Sequence, residues 1–278
     1  MNKLKKTKKP LDIFLCVVTW AAAIFTVGIL VFLVGYILVR GVPHITPSLF
    51  AFTYTSENVS VIPAIITTVY MTLGSLAISV PLGIFTAIYL VEYAKRGNKF
   101  VGIIRVTTET LSAIPSIVYG LFGMLFFVTY LGLGFSLVAG SLTMVIMILP
   151  LIMRTAEEAL KSVPDSYREG SFGLGAGRLR TVVKIVLPAA VPGILSGVIL
   201  AIGRIVGETA ALIYTAGTVA QVPSGLGDSA RTLSVHMYAL SSEGLHTNQA
   251  YATAVILLVL VIGINALAAS AAKRLTKG

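Results

Sequence analysis

The chain alternates long apolar runs with short charged stretches. A helix that crosses a bilayer needs roughly 20 apolar residues, each rising about 1.5 Å. Six segments meet that length, at about 13–39, 63–93, 106–130, 135–158, 189–219 and 250–272. The second is longer than one crossing requires. Pro81, Pro115 and Pro150 fall inside the second, third and fourth segments. Each predicts a kink, because proline lacks the backbone donor and crowds the preceding turn. A tight turn near Gly132 and Gly134 joins the third segment to the fourth. The stretches at about 41–62 and about 220–249 are longer, and the last of them, opening Gln221-Val-Pro-Ser-Gly-Leu-Gly, has room for short re-entrant or surface structure. The expected fold class is all-α, a polytopic membrane protein of about six transmembrane helices.

Composition agrees with that pattern. The 278 residues are 56% hydrophobic and 12% charged, with mean hydropathy +0.92. Soluble domains carry about 25% charged residues, and a water-soluble fold has nowhere to hide this much apolar surface. The net charge of +10 would suit nucleic acid, but the cations sit in short clusters between apolar runs, which excludes that reading. Residues 1–10 carry five lysines, 95–105 hold Lys95, Arg96, Lys99 and Arg105, and 160–184 hold Lys161, Arg168, Arg178, Arg180 and Lys184. The tail adds Lys273, Arg274 and Lys277. In a six-helix arrangement all four clusters share one side, and Arg40 and Arg231 face the other. Cytoplasmic loops collect Lys and Arg, so both termini are expected in the cytoplasm.

The first apolar run is about twice the core of a signal peptide, which spans roughly 7–15 residues. Phe14 and Leu15, ahead of Cys16, are too large for a lipoprotein site, so this run reads as an uncleaved spanning helix. A lone cysteine forms no intrachain disulfide. His44, His236 and His246 lack metal-ligand spacing. No phosphate-cradling G-x-x-x-x-G-K-[ST] pattern occurs, and Gly173-Leu-Gly-Ala-Gly177 has no lysine and follows no strand. The chain is therefore expected to bind no nucleotide, metal or other cofactor itself.

The connector from Glu157 to Pro188 carries the most specific pattern. Pro164-Asp165 suits a helix start, and the glycines after Phe172 suit its end, which predicts a short helix at about 164–173. A second segment, Arg178 to Leu187, leads to Pro188 and the next span. The small residues Gly170, Ser171, Gly173, Gly175 and Gly177 would let another surface approach the backbone. The spacing Glu169, Gly175, Ile185, Leu187-Pro188 resembles the EAA loop of ABC-importer permeases, E-A-A-x3-G-x9-I-x-L-P, with Gly170-Ser171 in place of the two alanines. That resemblance implies a MetI-like (type I) architecture and a coupling helix that sits in a cleft of an ATPase subunit. Tyr167, Arg168, Glu169, Gly170, Gly175, Leu187 and Pro188 are the residues it assigns to ATPase coupling.

From about Pro63 onward the chain also resembles phosphate permeases of the PstA type. The stretches that carry this are Ile114-Pro-Ser-Ile-Val-Tyr-Gly120, Arg154-Thr-Ala-Glu157-Glu-Ala-Leu, Ala201-Ile-Gly-Arg204-Ile-Val-Gly-Glu208-Thr-Ala and Thr232-Leu-Ser-Val-His-Met-Tyr238. The partner permeases of the PstC type share the Arg204 and Glu208 motif, so length and the Thr232–Tyr238 stretch favour PstA. The resemblance implies a phosphate importer in a bacterial or archaeal cytoplasmic (inner) membrane. Its partners would be a second, PstC-like permease, two PstB-like ATPases carrying ATP and Mg, and an external PstS-like phosphate-binding protein. Residues 1–60 would form the basic arm, first helix and external loop. Residues 61–278 would form the permease core, with its coupling loop at 159–188.

Glu109, Arg154, Arg204 and Glu208 lie within or near the segments, and Glu157 sits at an inner end. A charge at the bilayer centre costs roughly 2.5–3.5 kcal/mol on insertion scales, so these residues should face protein or water. Arg204 and Glu208 are four apart and would share a helix face, as would Arg105 and Glu109; Arg154 and Glu157 are three apart. Each pair reads either as a structural ion pair or as part of an anion path. Arginine offers a planar fork of donors to a phosphate, and a nearby glutamate would weaken the grip so that the ion can leave. The PstA resemblance implicates Arg154, Glu157 and Arg204 in transport. Gly203 and Gly207 suggest ordinary helix packing beside Arg204. The rivals are an importer of another oxyanion, such as sulfate or molybdate, a gradient-driven secondary transporter, and a structural membrane protein. A secondary transporter would need neither an ATPase nor the Glu169–Pro188 landmarks, and in a structural protein the buried charges would be a cost without use.

Overall fold

The computed structural model describes residues 10–95 and 97–275. The basic arm at 1–9, Arg96 and Lys277 lie outside the described residues, as do the side chains of Lys273 and Arg274. Helix α1 covers Pro10–Gly41, and two 3-10 turns at Val42–His44 and Pro47–Phe50 lead to α2, Ile62–Ile88. A π-helical stretch, Tyr89–Tyr93, extends α2. Then come α3 (Lys99–Ser112), α4 (Ser116–Gly123, extended by π turns to Tyr130), α5 (Leu137–Lys161) and α6 (Asp165–Gly173). Next, α7 (Arg178–Thr181) runs through the π turns Val182–Val186 into α8, Leu187–Gly207. The last elements are α9 (Ala210–Ile213), α10 (Leu233–Glu243) and α11 (Thr247–Leu275). No strand occurs among the described residues.

Five stretches are long and apolar enough to cross a membrane: Leu11–His44, Ile62–Tyr93, Leu137–Lys161, Arg178–Gly207 and Thr247–Ser270. They correspond to five of the six expected spans. The third differs. Lys99–Ser112 and Ser116–Tyr130 meet at 101°, so the expected 106–130 segment is a broken pair rather than one kinked helix. Pro115 is extended, at φ −59° and ψ 141°, and a proline pushes the residue before it out of the helical region. Asn98 starts α3 by accepting the Phe100 N–H at 2.9 Å, a side-chain cap that fixes its first turn. α2 passes through Pro81 and α5 through Pro150 without interruption. The fifth span also ends earlier than expected. It ends at Gly207, and the following residues form α9 and irregular chain rather than more helix.

The core is built from α2, α5 and α8. Met71, Met144, Met147, Ile148, Ile152, Ala201 and Ile205 pack in its middle, with Leu212 and Val235 from the connecting segments. Toward one end, Ala87, Ala156, Leu160, Val186, Ala190 and Ile194 form a second cluster. This end also carries Lys95, Lys161, Arg168 and Arg178 around one groove and is the basic end below. At the opposite end, Leu49, Val61, Leu233, Leu240 and Ala252 form a third cluster. Helix α8 approaches α5 closely where Gly193 faces Ala159 and Gly197 faces Thr155; a Cβ at Gly197 would run into the threonine side chain. Small residues at such positions allow the van der Waals contact that holds helices together in lipid. Gly203 and Gly207, by contrast, have no heavy atom within 4 Å of where their Cβ would lie. The close packing near Arg204 expected from those two glycines is instead found lower on α8, and the Arg204 end has an open face. Helix α1 stays largely outside this body, with Trp20, Phe25 and Phe32 exposed, and it packs its Gly41 end on Tyr251 and Val255 of α11.

Candidate functional site

The charged residues singled out by sequence divide into three groups. The first lines a cavity of ≈190 Å³ between α3 and α5 at the basic end, formed by Arg105, Thr108, Glu109, Met153, Arg154, Glu157, Glu158 and Lys161. The break at Pro115 brings this about, because it turns α3 across the end of α5. Glu109 is thus on the wall of this cavity and exposed, not inside a straight third span. The expected same-helix pairs are replaced by others. Arg154 Nε meets Glu158 Oε1 at 3.1 Å, four residues on, rather than Glu157. Arg105 Nη2 reaches Glu157 Oε1 at 2.7 Å, across from α3 to α5, rather than Glu109. Lys161 Nζ lies 2.6 Å from the same oxygen. Both are charge contacts without hydrogen-bond alignment. The Glu157 side chain is buried, at 10% exposure, between two half-exposed cations. Three cations and three carboxylates therefore line one small cavity, and an anion entering it must compete with the carboxylates for the cations.

The second group lies far along α8. Arg204 sits about 26 Å from Leu187 at the helical rise, half-buried, on the helix that carries Gly203 and Gly207 on open surface. Among the described residues Arg204 forms no ion pair. Glu208 does not share its helix face. The helix ends at Gly207, and Glu208 is extended at ψ 128°. Its Oε1 accepts the Ala211 N–H at 3.0 Å, capping α9, and its carbonyl accepts from Ser234 Oγ at 2.5 Å. Both bonds hold the end of α8 to α9 and α10, so Glu208 works as a staple. An acceptor used in this way is an unsuitable counterion for a neighbour that must release its anion. An apolar groove of ≈530 Å³ between α2, α5 and residues 223–226 is lined by no charged side chain and offers nothing to an anion.

The third group is the connector at the basic end. The short helix expected at about 164–173 is α6, Asp165–Gly173, and Gly175 follows it at φ +81°, a left-handed position that glycine occupies without strain. Tyr167, Glu169 and Gly170 are exposed, as are Phe172 and Leu174 beyond them. Pro188 is exposed, while Leu187 packs partly on the basic-end cluster. Arg168 is different, because its side chain is 13% exposed and turned inward. Its Nη2 lies 2.7 Å from Glu92 Oε1 and its Nε 3.1 Å from the same atom. Its Nη1 donates to Val163 O at 2.8 Å and Nη2 to Leu160 O at 3.0 Å. Arg168 is therefore not part of an exposed docking face. Glu92 escaped the sequence reading, although it lies inside the second apolar segment and the same reasoning about intramembrane charge applies to it. Glu158 and Lys161 escaped as well, and their four-residue spacing from Arg154 and Glu157 was the available signal.

At the end opposite the basic one, His236 of α10 is fully buried. Arg231 Nη1, a donor, lies 3.3 Å from its Nδ1, and its Nε2 lies 3.2 Å from Val59 O. Nδ1 must accept, so Nε2 carries the proton and donates it to the carbonyl. Burial, reinforced by the Arg231 charge, pushes the imidazole down to about 4.

This geometry can be set beside known proteins. Residues 79–277 match the family described as binding-protein-dependent transport system inner membrane component. The probable ABC transporter permease protein YqgI of Bacillus subtilis is 34% identical over 238 residues, covering 78% of this chain and 79% of that protein. The phosphate transport system permease protein PstA of Mycobacterium leprae is 37% identical over 190 residues, 67% of this chain and 62% of the relative. PstA 1 of Mycobacterium tuberculosis is 42% identical over 140 residues, 50% of this chain and 45% of the relative. The chain thus spans less than two thirds of the length of these two mycobacterial relatives. Among solved structures, a bacterial ABC transporter involved in the import of the acidic polysaccharide alginate superposes with TM-score 0.69 at 17% identity, over 95% of this chain and 98% of that one. The MetNI methionine ABC transporter, in an inward-facing conformation, gives 0.61 at 20% identity, over 78% and 94%. At those identities the likeness is one of fold. The chain therefore belongs to the binding-protein-dependent transport system inner membrane components, the multi-pass inner-membrane permeases of MetI-type ABC importers.

Proposed function

We propose that this chain is a permease subunit of an ATP-driven inorganic phosphate importer. It would line half of the pathway beside a second permease and take phosphate from an external binding protein. The core would run from about residue 61, with both termini and the basic end in the cytoplasm. Two ATPase subunits, holding ATP and Mg, would drive the cycle, and this chain would dock one of them through the exposed face of α6 at Tyr167, Glu169 and Gly170. The observation that carries the choice of phosphate is the 37–42% identity to PstA proteins. The geometry supports it. Arg204 presents an unpaired guanidinium on an open face of α8, suited to a phosphate passing between two permeases. Farther along, Arg105, Arg154 and Lys161 offer cations at the exit, each matched by a carboxylate that favours release.

The test is uptake of radiolabelled phosphate by the reconstituted complex of permeases, ATPase and binding protein. ATP-dependent uptake, competed by arsenate and not by sulfate, is expected. Competition by sulfate and not arsenate would assign another oxyanion. Uptake that persists without the ATPase would indicate a gradient-driven transporter. In the same preparation, Glu169→Lys and Gly175→Arg should weaken ATPase docking; intact, normally coupled complexes would remove α6 from that role.

A further inference from the structure

Arg168 and Glu92 form a link that the anion path does not need. Glu92 lies in the last, π-helical stretch of α2, and its side chain is 7% exposed; Arg168 lies in the middle of α6. The arginine bridges three elements at once. It meets the Glu92 carboxylate on α2, takes the Leu160 carbonyl at the end of α5 and the Val163 carbonyl just beyond it, and reaches Asp165 Oδ1 at 3.2 Å in the first turn of α6. A planar, multiply bonded guanidinium loses this arrangement on rotation, so it transmits displacement rather than absorbing it. Two further contacts brace the same junction. Ser171 Oγ lies 2.8 Å from Thr181 Oγ1, joining α6 to the root of α8. The Arg178 guanidinium stacks over the Tyr93 ring at 5.5 Å, joining that root to the end of α2. The outward neighbours on α6, Tyr167, Glu169 and Phe172, are exposed, whereas Arg168 points into the chain.

We propose that the Glu92–Arg168 pair is the transmission link of this subunit. When a partner moves α6, the pair obliges the end of α2 to follow, and the two carbonyl bonds carry the end of α5 with it. α2, α5 and α8, which share one core, then move together with the coupling helix. Arg168 is on this account a positioning residue that acts through Glu92 and touches neither ATPase nor phosphate. The inference rests on reading α6 as the ATPase-docking helix.

The test uses the full reconstituted importer and reads phosphate imported per ATP hydrolysed. Glu92→Gln keeps the volume and loses the charge; Arg168→Lys keeps the charge and loses the fork. Each is expected to retain bound ATPase and binding-protein-stimulated hydrolysis, while phosphate imported per ATP falls about tenfold, within the ordinary range of coupling between sites. Wild-type import and loss of ATPase in Glu169→Lys are the controls for the underlying reading, and their failure would bring down that reading rather than the link. If the controls hold, a wild-type import ratio in both variants overturns the link. Loss of the ATPase from both, or failure of both to assemble, also overturns it, because the pair would then serve docking or folding rather than transmission.

Discussion

Glu157 of α5 is held by Arg105 of α3 at 2.7 Å, not by Arg154 three residues before it. The contact clamps α3 against α5 across the cavity between them and leaves Arg154 to Glu158. Glu157→Gln keeps the shape and removes the charge. Arg105 and Lys161 are half-exposed, at 46% and 51%, so water replaces the lost partner and folding should lose only about 1 kcal/mol. The cavity gains net positive charge and should hold an oxyanion longer. Phosphate uptake is expected to fall about tenfold, a change of about 1.4 kcal/mol in the rate-limiting barrier, with release as the slow step. Unchanged uptake would leave the clamp a purely structural one.

Arg204 has no carboxylate partner among the described residues, so its charge is available to a passing anion. Arg204→Ala is expected to reduce phosphate uptake by at least about tenfold without loss of the ATPase, and Arg204→Lys to retain part of the uptake, because a point charge replaces the fork. Uptake assays of the two variants side by side check this. Equal, wild-type uptake in both would take Arg204 off the path.

The two sets of glycines on α8 should respond oppositely. Gly197→Ala puts a Cβ onto Thr155 of α5, and such overpacking costs about 1–3 kcal/mol. Gly203→Ala meets nothing within 4 Å and should gain about 0.5–1 kcal/mol from the better helix former. Thermal unfolding of the purified complex separates them, with Gly197→Ala melting lower and Gly203→Ala at or above the parent. Equal melting temperatures would contradict the packing described.

The spans were legible because bilayer thickness sets a length that apolar runs must meet, and α1, α2, α5, α8 and α11 meet it. Pro115 announced a disturbance, but not a turn of 101°. The size of that turn depends on how α3 lies against α5, which no local rule contains. Spacing named Arg105, Glu109, Arg154 and Glu157 of the cavity between α3 and α5, mispaired them, and missed Glu158 and Lys161. Sequence separation reveals neighbours on one helix, whereas Arg105–Glu157 and Glu92–Arg168 join different helices. The Arg204–Glu208 face failed for a related reason. A four-residue spacing defines a face only while the helix continues, and Glu208 has better partners in Ala211 and Ser234. The short helix α6 was readable from Pro164 and Gly175, yet which of its side chains turn inward depended on Glu92, 76 positions away.

His236 should make the complex less stable in mild acid. Its folded value is about 4, below the ordinary 6.5, because it is buried with the Arg231 charge beside it. The unfolded chain therefore takes up a proton first as pH falls. The stability contributed by the neutral imidazole is fully present above about 6.5. It is lost at about 1.4 kcal/mol per pH unit down to about 4, where the loss levels off. Between pH 7 and pH 5 the loss is about 2 kcal/mol. His236→Gln removes the titration and can still donate to the Val59 carbonyl. Melting temperatures of the two proteins, compared across that range, should converge toward the acid side as the parent falls and the variant stays level. Parallel curves would mean that His236 is not the group that titrates.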